Sequence, residues 1–448
     1  MHTLEKSADL KPLFDQIERD NTHYVLLGEA SHGTSEFYEW RADITKHLVS
    51  EKEFSFIAVE GDWPDCYRVN RYVKGMSSSD ENAYDILYSF NRWPTWMWAN
   101  REILDLIEWL RKYNTKLAEE KKIGFYGLDV YSLWESLEAV IKYLKKVDPE
   151  AVRTAIQAYQ CFEPYGESVE DYARATAFVP DSCEDEVIEI LMDLHSKASQ
   201  YQSDGLAKRE AYFNAEQNAI VTRNAELYYR KMIQGGTATW NIRDTHMMDT
   251  LTRLIDFHGK GSAKSIVWAH NTHIGDARYT DMARANMVNL GQLIRQQAGQ
   301  EKVLLVGFGT YSGTVIAARE WGERMEQMNV PPAVEGSWDN IIHNLSHGRD
   351  TLLIFRNGKS ESQAKEEHLI KDVEGEIGRA EKKRGQRAIG VIYNPEHERY
   401  GNYVPTVLTD RYDSFVYIDK SEAIRPLHMA VESGKIKEDL PETFPTGL

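Results

Sequence analysis

Two short stretches of this chain carry histidine at a three-residue spacing: Glu29-x-x-His32 within YVLLGEASHG, and His270-x-x-His273 within VWAHNTHIG. Imidazole titrates near working pH, so it can take or give a proton in a single catalytic cycle. Two further acids, Glu60 in IAVEGDWPD and Asp129 in YGLDV, and two arginines, Arg41 and Arg243, complete a set suited to hydrolysis by activated water. In that scheme His32 is the base, and Glu29 or Glu60 holds its far nitrogen. Arg41, Arg243 or a histidine meets the developing oxyanion. His270 or His273 protonates the leaving alcohol. The same donors are borderline ligands for Zn²⁺, Mn²⁺ or Fe²⁺, which leaves a metal-dependent hydrolase as an alternative. Neither pair is read as lying within a helix, where the spacing would aim both side chains at one ion. Taken singly, each group has an ordinary structural role, as a capping acid, a surface histidine or a buried ion pair. Their recurrence at equivalent places in the chain is what points to a site.

Those places are strand ends. The apolar runs 25–27, 56–59, 123–126 and 265–269 each stop at glycine or polar residues, the pattern of buried parallel strands opening into βα loops. In open α/β sheets such loops form the functional crevice. Phe37, Arg41, Ile44 and Leu48 share one face of a helix expected over 34–49, so Arg41 lies on the inward stripe and requires an anionic partner. Arg243 is in the same position on a second helix, in register with Met247, Leu251, Leu254 and His258, with Asn241 as its expected cap. Between them, FNRWPTWMWAN places Trp93, Trp96 and Trp98 in a loop before a helix at 102–113. Rings at that density wall an apolar pocket or fill core, and core is expected for at least two. Trp93, Trp96, Trp98, Arg243, Asp129 and Asn271 are the candidate substrate contacts.

Further strands are expected at 303–306, 351–355, 388–392 and 415–418. From 132 to 235 strand signals vanish and the chain reads as helices, with breaks at 164–166 and 180–182. The expected organisation is therefore an α/β fold. Its mainly parallel central sheet, flanked by helices, occupies 1–131 and 236–430, with a large all-helical insertion at 132–235 and a tail at 431–448. The stretch 361–383 is dense in charge and reads as a solvated helix or loop.

The formal net charge of −17 argues against nucleic acid or an anionic membrane as partner. Cys66, Cys161 and Cys183 are odd in number and have no metal-ligand spacing, so neither a disulfide framework nor a structural zinc site is expected. With no apolar leader and no membrane-length apolar run, the expectation is a cytoplasmic protein.

GEASHG, VEGDWPD, RWPTWMW, GLDVYSLWESL, WNIRDTHM, VWAHNTHIGDAR and GFGTYSGTV, in this order, together resemble the erythromycin esterase family, from about residue 24 to near 393. That family includes enzymes that open macrolide lactones and relatives labelled succinoglycan biosynthesis proteins. The resemblance implies an α/β core with a helical insertion and a deep cleft at the sheet edge. It also implies hydrolysis of an ester or lactone by histidine-activated water, with no covalent intermediate and no cofactor. The family's general base falls on His32, its supporting acids on Glu29 and Glu60, and its arginine on Arg41. Its downstream histidine motif spans 270–273. The family resemblance favours the metal-free site, while a more distant one, to the Tiki-type metalloproteases, keeps the metal alternative open. Specificity is expected to depend on the insertion and the tryptophan loop. A small-molecule ester or lactone is the expected partner. The third reading is a non-catalytic carbohydrate-binding protein of polysaccharide assembly, since flat rings stack on sugars.

Overall fold

The computed structural model describes residues 1–77, 81–165, 172–175, 182–198, 205–355 and 383–428. The expected tail at 431–448 and nearly all of the charged stretch at 361–383 lie outside them. So do parts of the two expected breaks near 166 and 180.

Six parallel strands form the centre of the sheet: β2 (Tyr24–Leu27), β3 (Phe56–Asp62), β4 (Gly124–Asp129), β5 (Ser265–Trp268), β6 (Val303–Ala317) and β11 (Ser414–Ser421). Their spatial order is β11-β6-β2-β5-β3-β4. Antiparallel β8 (Thr351–Ile354) and β1 (His2–Thr3) extend the β11 edge, and β7 (Glu326–Val330) pairs with the far half of β6. A separate ribbon joins β9 (Arg384–Arg387) to β10 (Tyr403–Thr406). The sheet is mainly parallel and flanked by helices, as the strand-end pattern implies. Each face is closed by a large apolar cluster, one under the helices Ser35–Glu51 and Arg101–Asn114 and the other under Ala238–Gly259 and Leu290–Ala298. That is why these strands are apolar throughout rather than alternating.

The register matters for function. Leu27 and Val59 both pair with Trp268, and Val59 pairs with Gly127. The four strands that carry the candidate acids and histidines are thus neighbours, with Leu27, Trp268, Val59 and Gly127 at one level and a spacing of about 4.8 Å per strand. Gly28 permits the closest of these approaches: a Cβ there would stand 2.1 Å from Asn271 Oδ1.

Several expectations change. Strands β3 and β4 run through Glu60 and Asp129 instead of stopping before them. The expected strand at 388–392 is not regular: the ribbon strand stops at Arg387. The chain beyond makes single bridges, Ile389 beside Ser31 and Ile392 beside Ala318. The helix bearing Arg243 starts at Ala238, so Asn241 is not its cap. Asn241 instead accepts from the Val288 amide and donates to the Asn286 carbonyl, tying down a neighbouring loop.

Between β4 and β5 the described chain is helical, with Leu133–Val147, Val152–Phe162, Glu184–Ser196 and Leu206–Met232 enclosing an apolar cluster of their own. Cys161 and Cys183 form a disulfide within it, where no disulfide framework was expected; Cys66 is free and buried. Sequence separation hid the pair. The two residues are 22 apart in the chain, yet their Cα atoms lie 5.9 Å apart because the helices pack side by side. Among the described residues no helix is long and apolar enough to cross a membrane.

Candidate active site

Glu29 and His32 leave β2 in one loop, and the loop is buried because Arg41 comes up beneath it. The helix Ser35–Glu51 packs its Phe37, Arg41, Ile44 and Leu48 face on the sheet, which leaves the Arg41 guanidinium fully enclosed. Arg41 lies over the Tyr38 and Trp268 rings and donates to the Phe37 carbonyl and to Glu29 Oε2, the latter at 2.6 Å. The other Glu29 oxygen stands 3.0 Å from His32 Nδ1. A carboxylate only accepts, so Nδ1 carries the hydrogen and Nε2 keeps its lone pair.

A second and larger charge cluster spans β3, β4 and the helix Ala238–Gly259. Arg243 forks onto Asp129, Nε to Oδ1 at 2.9 Å and Nη2 to Oδ2 at 2.7 Å. It also donates from Nη2 to Glu60 Oε1 at 2.6 Å. Its Nη1 lies 3.1 Å from His273 Nε2, which is also 3.3 Å from Glu60 Oε1. On the far side of the ring, His273 Nδ1 meets both oxygens of Asp244, at 2.9 and 3.0 Å. Burial alone would lower this histidine, but the Asp244 and Glu60 carboxylates outweigh it and push it up to about 9. Burial would likewise raise Glu60, yet His273 and Arg243 hold it well below the usual carboxylate range. Asp129 is lowered too, Arg243 overcoming its burial.

His270 sits between the two clusters, its ring centroid 4.9 Å from that of His32. Its backbone N–H donates to Glu60 Oε2 at 2.7 Å. The Thr272 amide donates to its Nδ1, so the hydrogen is on Nε2, which is buried and has no hydrogen-bond partner among the described residues. Burial and the neighbouring His32 push His270 well below the usual imidazole range, so it is neutral.

These groups open onto a cleft of about 290 Å³. That is close to the roughly 300–1,000 Å³ usual for small-molecule sites. Of the expected residues, His32, Glu60, His270, His273, Arg243, Asp129, Trp93 and Trp98 line it. Glu29 and Arg41 stand behind His32, outside the lining. Trp96 is packed in core, edge-on to Trp93, and Asn271 spends its side chain on the Phe308 backbone of β6. Trp98 reaches the wall by donating to the Glu60 carbonyl, an approach left open by Gly61, whose Cβ would lie 2.8 Å from the indole nitrogen. Arg243 gives three of its five N–H groups to Asp129 and Glu60 and turns Nη1 toward His273, while Arg41 does not line the wall.

Sequence reasoning missed Asp244, although it directly follows Arg243 and a buried acid beside a buried arginine is a readable signal. It missed Trp240, which stacks on His273 at 4.6 Å and 5° and lies one turn before Asp244. Trp321, Tyr131, the Asp62–Arg92 ion pair and residues 390–394 also line the cleft. The last of these had no local signal. None of the lining residues falls in 132–235, so the expected contribution of the insertion to the pocket wall is not seen among the described residues.

The metal alternative can be set against this geometry. Each histidine has Nδ1 committed, to Glu29, Thr272 or Asp244 respectively. Among the described residues no group of three or more His, Cys, Asp or Glu side chains is disposed to hold an ion. An imidazole held at Nδ1 ligates through Nε2, so these contacts do not by themselves exclude an ion.

The erythromycin esterase family model matches residues 49–421. This range begins downstream of Glu29 and His32 and reaches further than the expected 24–393. Three solved structures share the fold. A succinoglycan biosynthesis protein matches with a TM-score of 0.71 at 21% identity, covering 95% of each chain. A Bacillus cereus protein matches at 0.70 and 18%, covering 94% of each. A mutant of the erythromycin esterase EreC in its open conformation matches at 0.64 and 14%, over 93% of this chain and 95% of that one.

Proposed function

This chain belongs to the erythromycin esterase family, and from that premise we propose that it is a hydrolase that cleaves an ester or lactone of a small molecule with water activated by His32. The observation that carries the reading is the buried chain Arg41–Glu29–His32, which leaves Nε2 of a cleft-lining imidazole as a base. His32 Nε2 takes a proton from water, and the hydroxide adds to the acyl carbon. Glu29, held by Arg41, stabilises the imidazolium that forms. The carbonyl oxygen becomes an oxyanion facing His270 Nε2–H. A buried donor with no partner costs about 1–3 kcal/mol, which a substrate oxygen there would relieve. On collapse the acyl C–O bond breaks, and the leaving oxygen takes a proton from His273, the histidine that holds one at neutral pH. His32 then passes its proton to solvent and His273 is reprotonated.

Chelator-treated protein screened against aryl esters, lactones and macrolides, with His32→Ala alongside, tests this. Turnover that survives chelation and falls by about 10²–10⁴-fold in the variant is expected. Full activity in the variant would remove His32 from the role.

A carbohydrate-binding reading without turnover draws on the ring-lined wall of Trp93, Trp98, Trp240 and Trp321. Calorimetry against cell-surface glycans tests it, and absence of heat sinks it. The cytoplasmic location remains our proposal, with the Cys161–Cys183 bridge pulling against it because cytosolic thiols are kept reduced. Alkylation of freshly extracted, denatured protein decides: three free thiols support the cytoplasm and one opposes it.

A further inference from the structure

We propose that Asp244 is a positioning residue of this site: it retains the Nδ1 proton of His273, so that the proton leaving the imidazolium departs from Nε2, on the cleft side. The inference rests on the reading of His273 as the acid. Asp244 is fully buried and fixed in place, with Oδ1 accepting the Leu290 amide at 2.8 Å, and both its oxygens face His273 Nδ1. Trp240 on the same helix lies nearly parallel to the imidazole and sets the plane of the ring. The charged and titratable groups that face His273 are Asp244 and Arg243 from that helix, Glu60 from β3 and His270 from its own segment. Asp129 on β4 stands behind Arg243.

This wiring gives both protonation states a partner. While charged, Nε2–H faces Glu60 Oε1 at 3.3 Å; once the proton has gone, Nε2 accepts from Arg243 Nη1 at 3.1 Å. Loss from Nδ1 instead would keep Nε2–H opposite an arginine donor and leave Asp244 without its partner. A buried carboxylate on the far nitrogen is how an imidazole is held in one tautomer. An asparagine would keep an acceptor for Leu290 but turn a donor toward Nδ1, which forces the wrong tautomer.

Ester turnover by wild type and Asp244→Asn, followed across the range in which histidine titrates, tests this. A fall in kcat of about 10–100-fold above neutrality with little change in KM is expected. The loss should shrink toward acid pH, because His273 deprived of a carboxylate gives up its proton at lower pH. A loss equal at every pH, as mere structural damage would give, or no loss, would overturn the proposal. ¹⁵N spectra of histidine-labelled wild type, with His273 assigned from the His273→Gln spectrum, give a readout that needs no substrate. Nδ1 should stay protonated throughout the titration, and an Nδ1 that deprotonates first overturns the proposal. A chain that hydrolyses no ester would sink the hydrolase reading, and the ¹⁵N titration would still decide what Asp244 does. The same titration decides it if Asp244→Asn fails to fold.

Discussion

Two arms of the site are made from the same three kinds of group, carboxylate, guanidinium and imidazole, and wired differently. In the first, one carboxylate, Glu29, is divided between Arg41 and His32. In the second, Asp244 gives its side chain to His273, Glu60 is shared between His273 and Arg243, and Asp129 takes the remaining fork of Arg243. Three acids around one arginine and one histidine favour a proton on that histidine. His270, three residues earlier, gains no such company and is neutral. Residue type and spacing therefore do not set protonation here. Burial lowers both His270 and His273, and only at His273 do the Asp244 and Glu60 carboxylates outweigh it.

Removing the arginines should separate the arms most. Arg41→Met leaves one buried carboxylate uncompensated, expected to cost about 3–5 kcal/mol in urea unfolding. Arg243→Met leaves Asp129 uncompensated and Glu60 with His273 and the His270 amide alone, and should cost more, to the point of poor recovery of folded protein. Equal losses would break the comparison.

A pH series of urea midpoints sharpens it. His273 is raised to about 9, above its unfolded value, so the stability it contributes is full below about 6.5 and lost as pH rises through about 9. His246 and His258 are lowered, chiefly by burial, to about 4 and about 3, and His270 is lowered as well. These favour the fold above the unfolded value and weaken it as pH falls below that. Stability should peak between the two limbs, and His273→Gln should flatten only the alkaline one. An alkaline decline that persists in His273→Gln would assign it elsewhere.

The smallest effect is expected away from the cleft. The Tyr172 hydroxyl accepts the Cys183 amide and donates to Glu226 inside the insertion. Tyr172→Phe should cost about 1–3 kcal/mol and leave kcat/KM unchanged. A change in kcat/KM would mean that the insertion reaches the chemistry after all.

Much of this arrangement is legible in the sequence where it depends on local pattern. Arg41 reads as inward because Phe37, Ile44 and Leu48 share its face, and Glu29 reads as a loop-edge acid because an apolar run stops just before it. The rest depends on contacts between distant segments. Residues 390–394 overlap a stretch that reads as a strand, but the chain there makes only single bridges, Ile389 beside Ser31 and Ile392 beside Ala318, and turns to the cleft. Asn271 looks like a substrate ligand from its neighbours His270 and His273, but Gly28 lets it turn to β6 instead. The Cys161–Cys183 bridge follows from helix packing that spacing alone does not reveal.

By itself the sequence determined which residues are candidates and that they stand at the carboxyl ends of parallel strands, since hydrophobic periodicity is a local property of the chain. The tertiary structure alone decided how they are shared. Strand order sets β5 between β2 and β3, and that adjacency brings Glu60 to the His270 amide and to His273. Helix packing adds Arg243 and Asp244 from the other side. Electrostatic coupling falls off with distance through space, not along the chain. Which histidine holds a proton was therefore settled only when the segments met.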